Sequence, residues 1–214
     1  MMQNSMKVTA IAALVAALVG FTGVAWAQSS PAQTPTKVPV LVDYYANNYN
    51  SSWVDGKLRI SNFGSNGGGP APNGNLCAMI YVFDTAEELQ ECCGCVLTPD
   101  GLRTLSVAND LTYNPNNNEV LYTGEIKIIT APPNSGGGCD PSFGGPGGTV
   151  TVGGALAAWG THVQCDGEGY SVTETAAQAE SASAADVNRI TKFLCGSIVQ
   201  NSTGRGLCSC GTGE

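Results

Sequence analysis

Short apolar runs recur along the chain, separated by clusters of Gly, Pro, Asn and Asp, and this spacing predicts strands joined by turns. Leu76–Phe83 (LCAMIYVF) is apolar on both pleat faces, with Cys77, Met79, Tyr81 and Phe83 on one and Ala78, Ile80 and Val82 on the other. Such a run suits a central strand covered on both sides. Val38–Val42 is a second strand, which Pro39 confines to a sheet edge because it has no N–H to give. Leu58 and Ile60 alternate with Lys57 and Arg59, as on a half-buried strand, after an Asp55-Gly56 hairpin signal. Asp84–Gln90 (DTAEELQ) reads as a short helical stretch. Val96-Leu97, Thr98–Gly101 and Leu102–Val107 read as strand, turn and strand, with Pro99 setting φ and Gly101 taking the left-handed position. Leu121–Thr130 is a further strand. Thr149–Val152 and Ala155–Gln164 form a hairpin about Gly153-Gly154, and Asp166–Gly169 is a hairpin tip. Gly64–Gly74 is a loop, and Pro132–Gly148 is a long flexible one in which Cys139 is the anchor.

The pattern changes near the end. Ser183 followed by Ala184, Ala185 and Asp186 resembles a capped helix start, and Val187, Ile190, Thr191, Leu194 and Ile198 share one helical face. The helix is expected to run to about Val199, followed by a compact tail, Thr203–Gly211 (TGRGLCSCG). The fold class is therefore mainly β: an antiparallel sandwich-like domain with a disulfide-anchored C-terminal α-helix, spanning 38–214 as a single domain without internal repeats.

The first residues read as an address. A short n-region with Lys7, an uncharged apolar run from Val8 to Val24, and small residues in Ala25-Trp26-Ala27 predict a signal peptide over 1–27, cleaved before Gln28. The competing reading is an uncleaved anchor, since Val8–Ala27 is just long enough to span a bilayer. Residues 28–37 form a polar, Pro-bearing flexible leader. The mature protein is expected to be secreted, either periplasmic or extracellular, with no membrane contact after cleavage. Charge agrees with this: 9 Lys+Arg against 17 Asp+Glu give a net −8, and only 12% of residues are charged. That balance repels phosphate backbones and argues against nucleic-acid partners.

Of the chemistry-bearing residues, cysteine dominates, and all nine lie beyond the apolar leader: Cys77, Cys92, Cys93, Cys95, Cys139, Cys165, Cys195, Cys208 and Cys210. In an oxidising compartment these are disulfide candidates first. The adjacent pair Cys92-Cys93 is expected to send bridges in two directions, toward Cys195 and the tail cysteines. Cys139 and Cys165 remain as a pair whose loop of about 25 residues would be worth roughly 3 kcal/mol to close. The count is odd, so at least one sulfur is left over. The alternative is a thiolate metal site or redox centre built on the CCGC and CSC motifs, with Cys92, Cys95, Cys208 and Cys210 as ligands for zinc or Cu(I). A thioredoxin-like role needs the motif to open a helix, whereas Val96-Leu97 reads as strand.

Catalytic patterns are sparse. His162 is the only histidine, on a strand face with Leu156, Ala158 and Gln164, and any Cys-His or Ser-His-Asp constellation would need it. Neither G-x-S-x-G nor H-E-x-x-H occurs. Glu87, Glu88, Glu91, Asp166 and Glu168 show no spacing that selects a glycosidase pair. The glycine runs lack the G-K-[ST] ending of a phosphate loop. Two sequons, Asn50-Ser51-Ser52 and Asn201-Ser202-Thr203, are expected to go unused because the signal looks bacterial. The chain thus reads as a secreted non-enzymatic binding or structural module without catalytic residues, metal or cofactor. The partner is an unidentified protein or carbohydrate, or a second copy. In the self-association variant, Gln28–Val42 adds as a strand to a neighbour's sheet edge.

Overall fold

Nine strands form two antiparallel sheets in a computed structural model that describes residues 37–46, 55–64, 74–112, 121–143, 156–165, 168–200 and 207–211. The signal segment, the leader to Thr36 and the Gly153-Gly154 turn lie outside the described residues. The strands are β1 (Lys37–Ala46), β2 (Lys57–Asn62), β3 (Leu76–Phe83), β4 (Leu89–Leu97), β5 (Leu102–Ser106), β6 (Thr123–Ala131), β7 (Leu156–Cys165), β8 (Tyr170–Ala176) and β9 (Gln178–Ser183). The first sheet has the order β4-β3-β6-β1-β9 and the second β5-β2-β7-β8. Between the sheets lies one apolar cluster, including Leu58, Ile60, Ile80, Val82, Leu105, Ile126 and Ile128. On the other face of the first sheet a second cluster joins Val40, Met79, Tyr81 and Ile129 to Val187 and Ile190. The arrangement is a sandwich with a helical third layer. It explains why all eight residues of β3 are buried: each pleat face meets its own core.

The third layer is the expected helix in three segments: α1 (Ala184–Asn188), a π-helical stretch over Arg189–Cys195, and α2 (Gly196–Gln200). Ser183 caps it, its hydroxyl accepting from the Asp186 amide at 3.1 Å. Inside the helix, Thr191 Oγ1 donates to the Val187 carbonyl at 2.9 Å, a side-chain competitor for backbone bonding where the helix widens.

The structure departs from the local expectations in four places. Asp84–Gln90 is no helix: Asp84 Oδ1 accepts from the Ala86 and Glu88 amides at 2.8 and 2.9 Å, Glu87 takes φ 64°, and the chain turns tightly into β4. An acceptor placed to capture two following amides favours the turn. The left-handed residue of the 98–101 turn is Asp100 (φ 59°), with Gly101 N donating to Thr98 O at 2.9 Å; the turn passes from one sheet to the other and forms no hairpin. Pro39 is in an interior strand, yet the ladder with β6 starts only at Leu41, so the proline pairs on one side alone, opposite Ser181. Residues 132–143 of the Gly-rich loop are pinned down, by Asn134 Oδ1 on the Gly136 and Gly138 amides and by Tyr81 Oη on Pro141 O at 2.7 Å.

Candidate functional site

Strand alternation decides where the cysteines go. Neighbouring residues on a strand face opposite sides, so Cys92 and Cys93 cannot serve the same layer. Cys92 faces the helix and bridges Cys195, with Cα atoms 6.0 Å apart. Cys93 and Cys95, two residues apart on the opposite face, bridge Cys208 and Cys210 at Cα separations of 5.2 and 5.4 Å. The tail runs parallel to β4, with a bridge between Cys92 and Leu207, and so covers the edge of the first sheet. Its Ser209 amide donates to Asp110 O at 2.8 Å, beyond β5 of the second sheet. Two disulfides and this bond tie both sheets together along one side of the sandwich.

The expected Cys139–Cys165 bridge does not form. Cys139 lies on the helix-side face of the first sheet and bridges Cys77, with Cα atoms 5.6 Å apart. Cys165 ends β7 in the second sheet, its backbone paired with Tyr170. The four thiolate candidates, Cys92, Cys95, Cys208 and Cys210, are each held in a bridge, and Cys92 is on the wrong face to join the others. The sulfurs that converge are those of Cys93, Cys95 and Cys210, within 4.8 Å of one another.

His162 is buried, 1% exposed, and paired across the sandwich with Asp43 of β1. Its Nε2 faces two acceptors, Tyr44 O at 2.9 Å and Asp43 Oδ1 at 3.2 Å, so that nitrogen carries hydrogen. The Tyr44 ring stacks on the imidazole at 3.8 Å. Burial raises the Asp43 carboxyl above the usual range, partly offset by His162 and the Tyr44 amide. Gly160 makes room for the pair: a Cβ there would collide with Asp43 Oδ2 and come within 3.0 Å of His162 Nε2.

A second polar inclusion is Glu91, on the same face of β4 as Cys93. It is fully buried, both carboxylate oxygens are without partners, and burial pushes its carboxyl up to about 8. Glu87 and Glu88 lie in the β3–β4 turn and Glu168 in the β7–β8 turn, all exposed, so Glu91 is not set facing them across a cleft; Asp166 lies outside the described residues. A cavity of about 490 Å³ opens beside α1, lined by Phe83, Glu87, Arg189 and Leu194 among others, with Lys127 Nζ 5.1 Å from the Phe83 ring centroid.

The outward face of the second sheet carries a further group of polar and aromatic side chains among the described residues. Leu58, Ile60 and Ala158 point inward, so Lys57, Arg59, Trp159 and Thr161 point out. Arg59 bonds Thr161 Oγ1 at 2.8 Å and pairs with Glu174 of β8, while Trp159 meets exposed Phe63 edge to face at 6.4 Å. Two aromatic rings beside a guanidinium–carboxylate pair offer both stacking and hydrogen bonding. Sequence reasoning does not single out this face; Arg59 and Trp159 come together only through the β2–β7 register. The available signal is the alternation of apolar and polar residues in 57–62.

Fold and site together define a disulfide-stapled β-sandwich with a helical cover. No family model matches the chain, and neither a curated protein nor a solved structure matches it. No helix among the described residues is long and apolar enough to cross a membrane.

Proposed function

We propose that the chain is exported and acts outside the cytoplasm as a non-enzymatic binding module, with the outward face of the second sheet as its contact surface. The observation that carries this reading is the set of four bridges, which ties helix, tail and Gly-rich loop to the first sheet. Such a set persists where the surroundings are oxidising. A carbohydrate ligand suits the face, because Trp159 and Phe63 present apolar ring surface while Arg59, Thr161 and Glu174 present donors and acceptors.

Intact mass of the exported protein, unreduced and alkylated, tests the export half. A start at Gln28, four bridges and at most one alkylated thiol support it; a retained leader or several free thiols overturn it. Depletion of the protein from solution by insoluble cellulose, chitin or xylan tests the ligand half. Binding lost in Trp159→Ala supports the face, and binding to none of the three removes the carbohydrate reading.

A further inference from the structure

The same two bridges that staple the tail bring three sulfurs together, with a fourth bonded to one of them. Cys93 and Cys95 are i and i+2 on one face of β4, and the parallel tail presents Cys208 and Cys210 with the same spacing. Sγ atoms of Cys93, Cys95 and Cys210 already lie within 4.8 Å of one another, and Cys208 is bonded to Cys93. A tetrahedral zinc site with Zn–S bonds of about 2.3 Å needs sulfurs about 3.8 Å apart. Opening the two bridges therefore asks for side-chain rotation with little movement of backbone. We propose that Cys93, Cys95, Cys208 and Cys210 form a tetrathiolate zinc site once these two bridges are reduced. The inference goes beyond the binding-module reading and does not depend on it.

Access favours the opening of Cys95–Cys210 over the bridge beneath the helix. Cys210 is only partly buried, whereas Cys92 and Cys195 are both fully buried beneath the helix. A thiolate must reach sulfur to exchange with it, so a dithiol attacks through Cys210 ahead of Cys92–Cys195, and the partly buried Cys139 leaves Cys77–Cys139 open to the same attack. Each bridge takes two electrons from one dithiol, which leaves as its own disulfide, and yields two thiols. Zinc then displaces four thiol protons and leaves the site with a net charge of −2. Arg103 sits beside it, with Nη1 3.5 Å from the carbonyls of Cys210 and Gly211, and supplies compensating charge. Cys92 is excluded by strand alternation, although C-x-x-C spacing would have chosen it.

The test uses the full exported chain carrying Cys165→Ser, reduced mildly with a water-soluble phosphine, desalted without oxygen and titrated with Co²⁺ and then Zn²⁺. Alkylation and mass count the thiols, and circular dichroism follows the sheets. The expected result is four thiols, or six where Cys77–Cys139 opens as well, with one Co²⁺ per chain showing the absorption of tetrahedral thiolate coordination and losing it on addition of Zn²⁺. Cys93→Ser and Cys210→Ser each abolish that absorption, while the double variant Cys92→Ser/Cys195→Ser keeps it. Absence of the cobalt absorption in the reduced chain overturns the proposal, as does absorption unchanged in Cys93→Ser. A reduced chain that loses its strand signal and fails to regain it with Zn²⁺ overturns it too.

Discussion

Glu91→Gln is the perturbation whose sign follows most directly from the structure. The carboxyl is fully buried between the sheets with both oxygens unpartnered, and its pKa rises from 4.5 to about 8 because ionisation there would strand a charge away from water. Between pH 4.5 and 8 the unfolded chain has released this proton and the folded chain retains it. Stability associated with Glu91 is therefore complete below 4.5 and is lost as pH rises through 8. At 1.36 kcal/mol per unit the whole interval corresponds to roughly 5 kcal/mol, which is a ceiling. The substituted glutamine side chain has nearly the same shape and does not titrate. Urea denaturation of both proteins, bridges intact, at pH 4, 6 and 8 reads the difference and cancels Asp43, whose raised carboxyl contributes with the same sign. The variant should gain about 2 kcal/mol or more on wild type between pH 4 and 8. A difference that stays flat, or that moves against the variant, would falsify the burial argument.

Three further outcomes follow from the packing. Gly124→Ala would drive a Cβ into the Phe83 carbonyl and to within 2.6 Å of Tyr45 Oη, so calorimetry should show a loss of about 3 kcal/mol; a loss under about 0.5 kcal/mol would mean that β3 and β6 yield freely. His162→Ala strands Asp43 without its cross-sandwich partner and should cost about 3 kcal/mol in the same urea assay at pH 6, with Asp43→Asn/His162→Ala recovering part of it; equal stability of the single and double variants would show that the pair is not coupled. Removing Cys92–Cys195 as a pair of alanines should cost about 3 kcal/mol, because with Cys93–Cys208 intact the released loop is only roughly 15 residues long; hydrogen exchange should then rise in the helix ahead of the sheets, and uniform exchange would contradict that order.

What can be read in the chain is local. The uniform apolarity of Leu76–Phe83 means burial on both faces, Ser183 with Asp186 marks the helix start, and adjacent Cys92-Cys93 must send bridges in two directions, because each follows from the geometry of one element. Asp84–Gln90 misleads for the same reason: its composition allows a helix, and only the capture of two amides by Asp84, with β4 waiting to pair, favours the turn. Tertiary structure decides whatever joins distant segments. Cys139 reaches Cys77 instead of Cys165 because its loop folds onto the helix-side face, and residue count along the chain carries no information about which layer a loop covers. Asp43 finds His162, and Arg59 finds Trp159, through sheet packing and strand register between segments far apart in the chain. Alternation fixes which face a side chain takes, while packing chooses what it meets there.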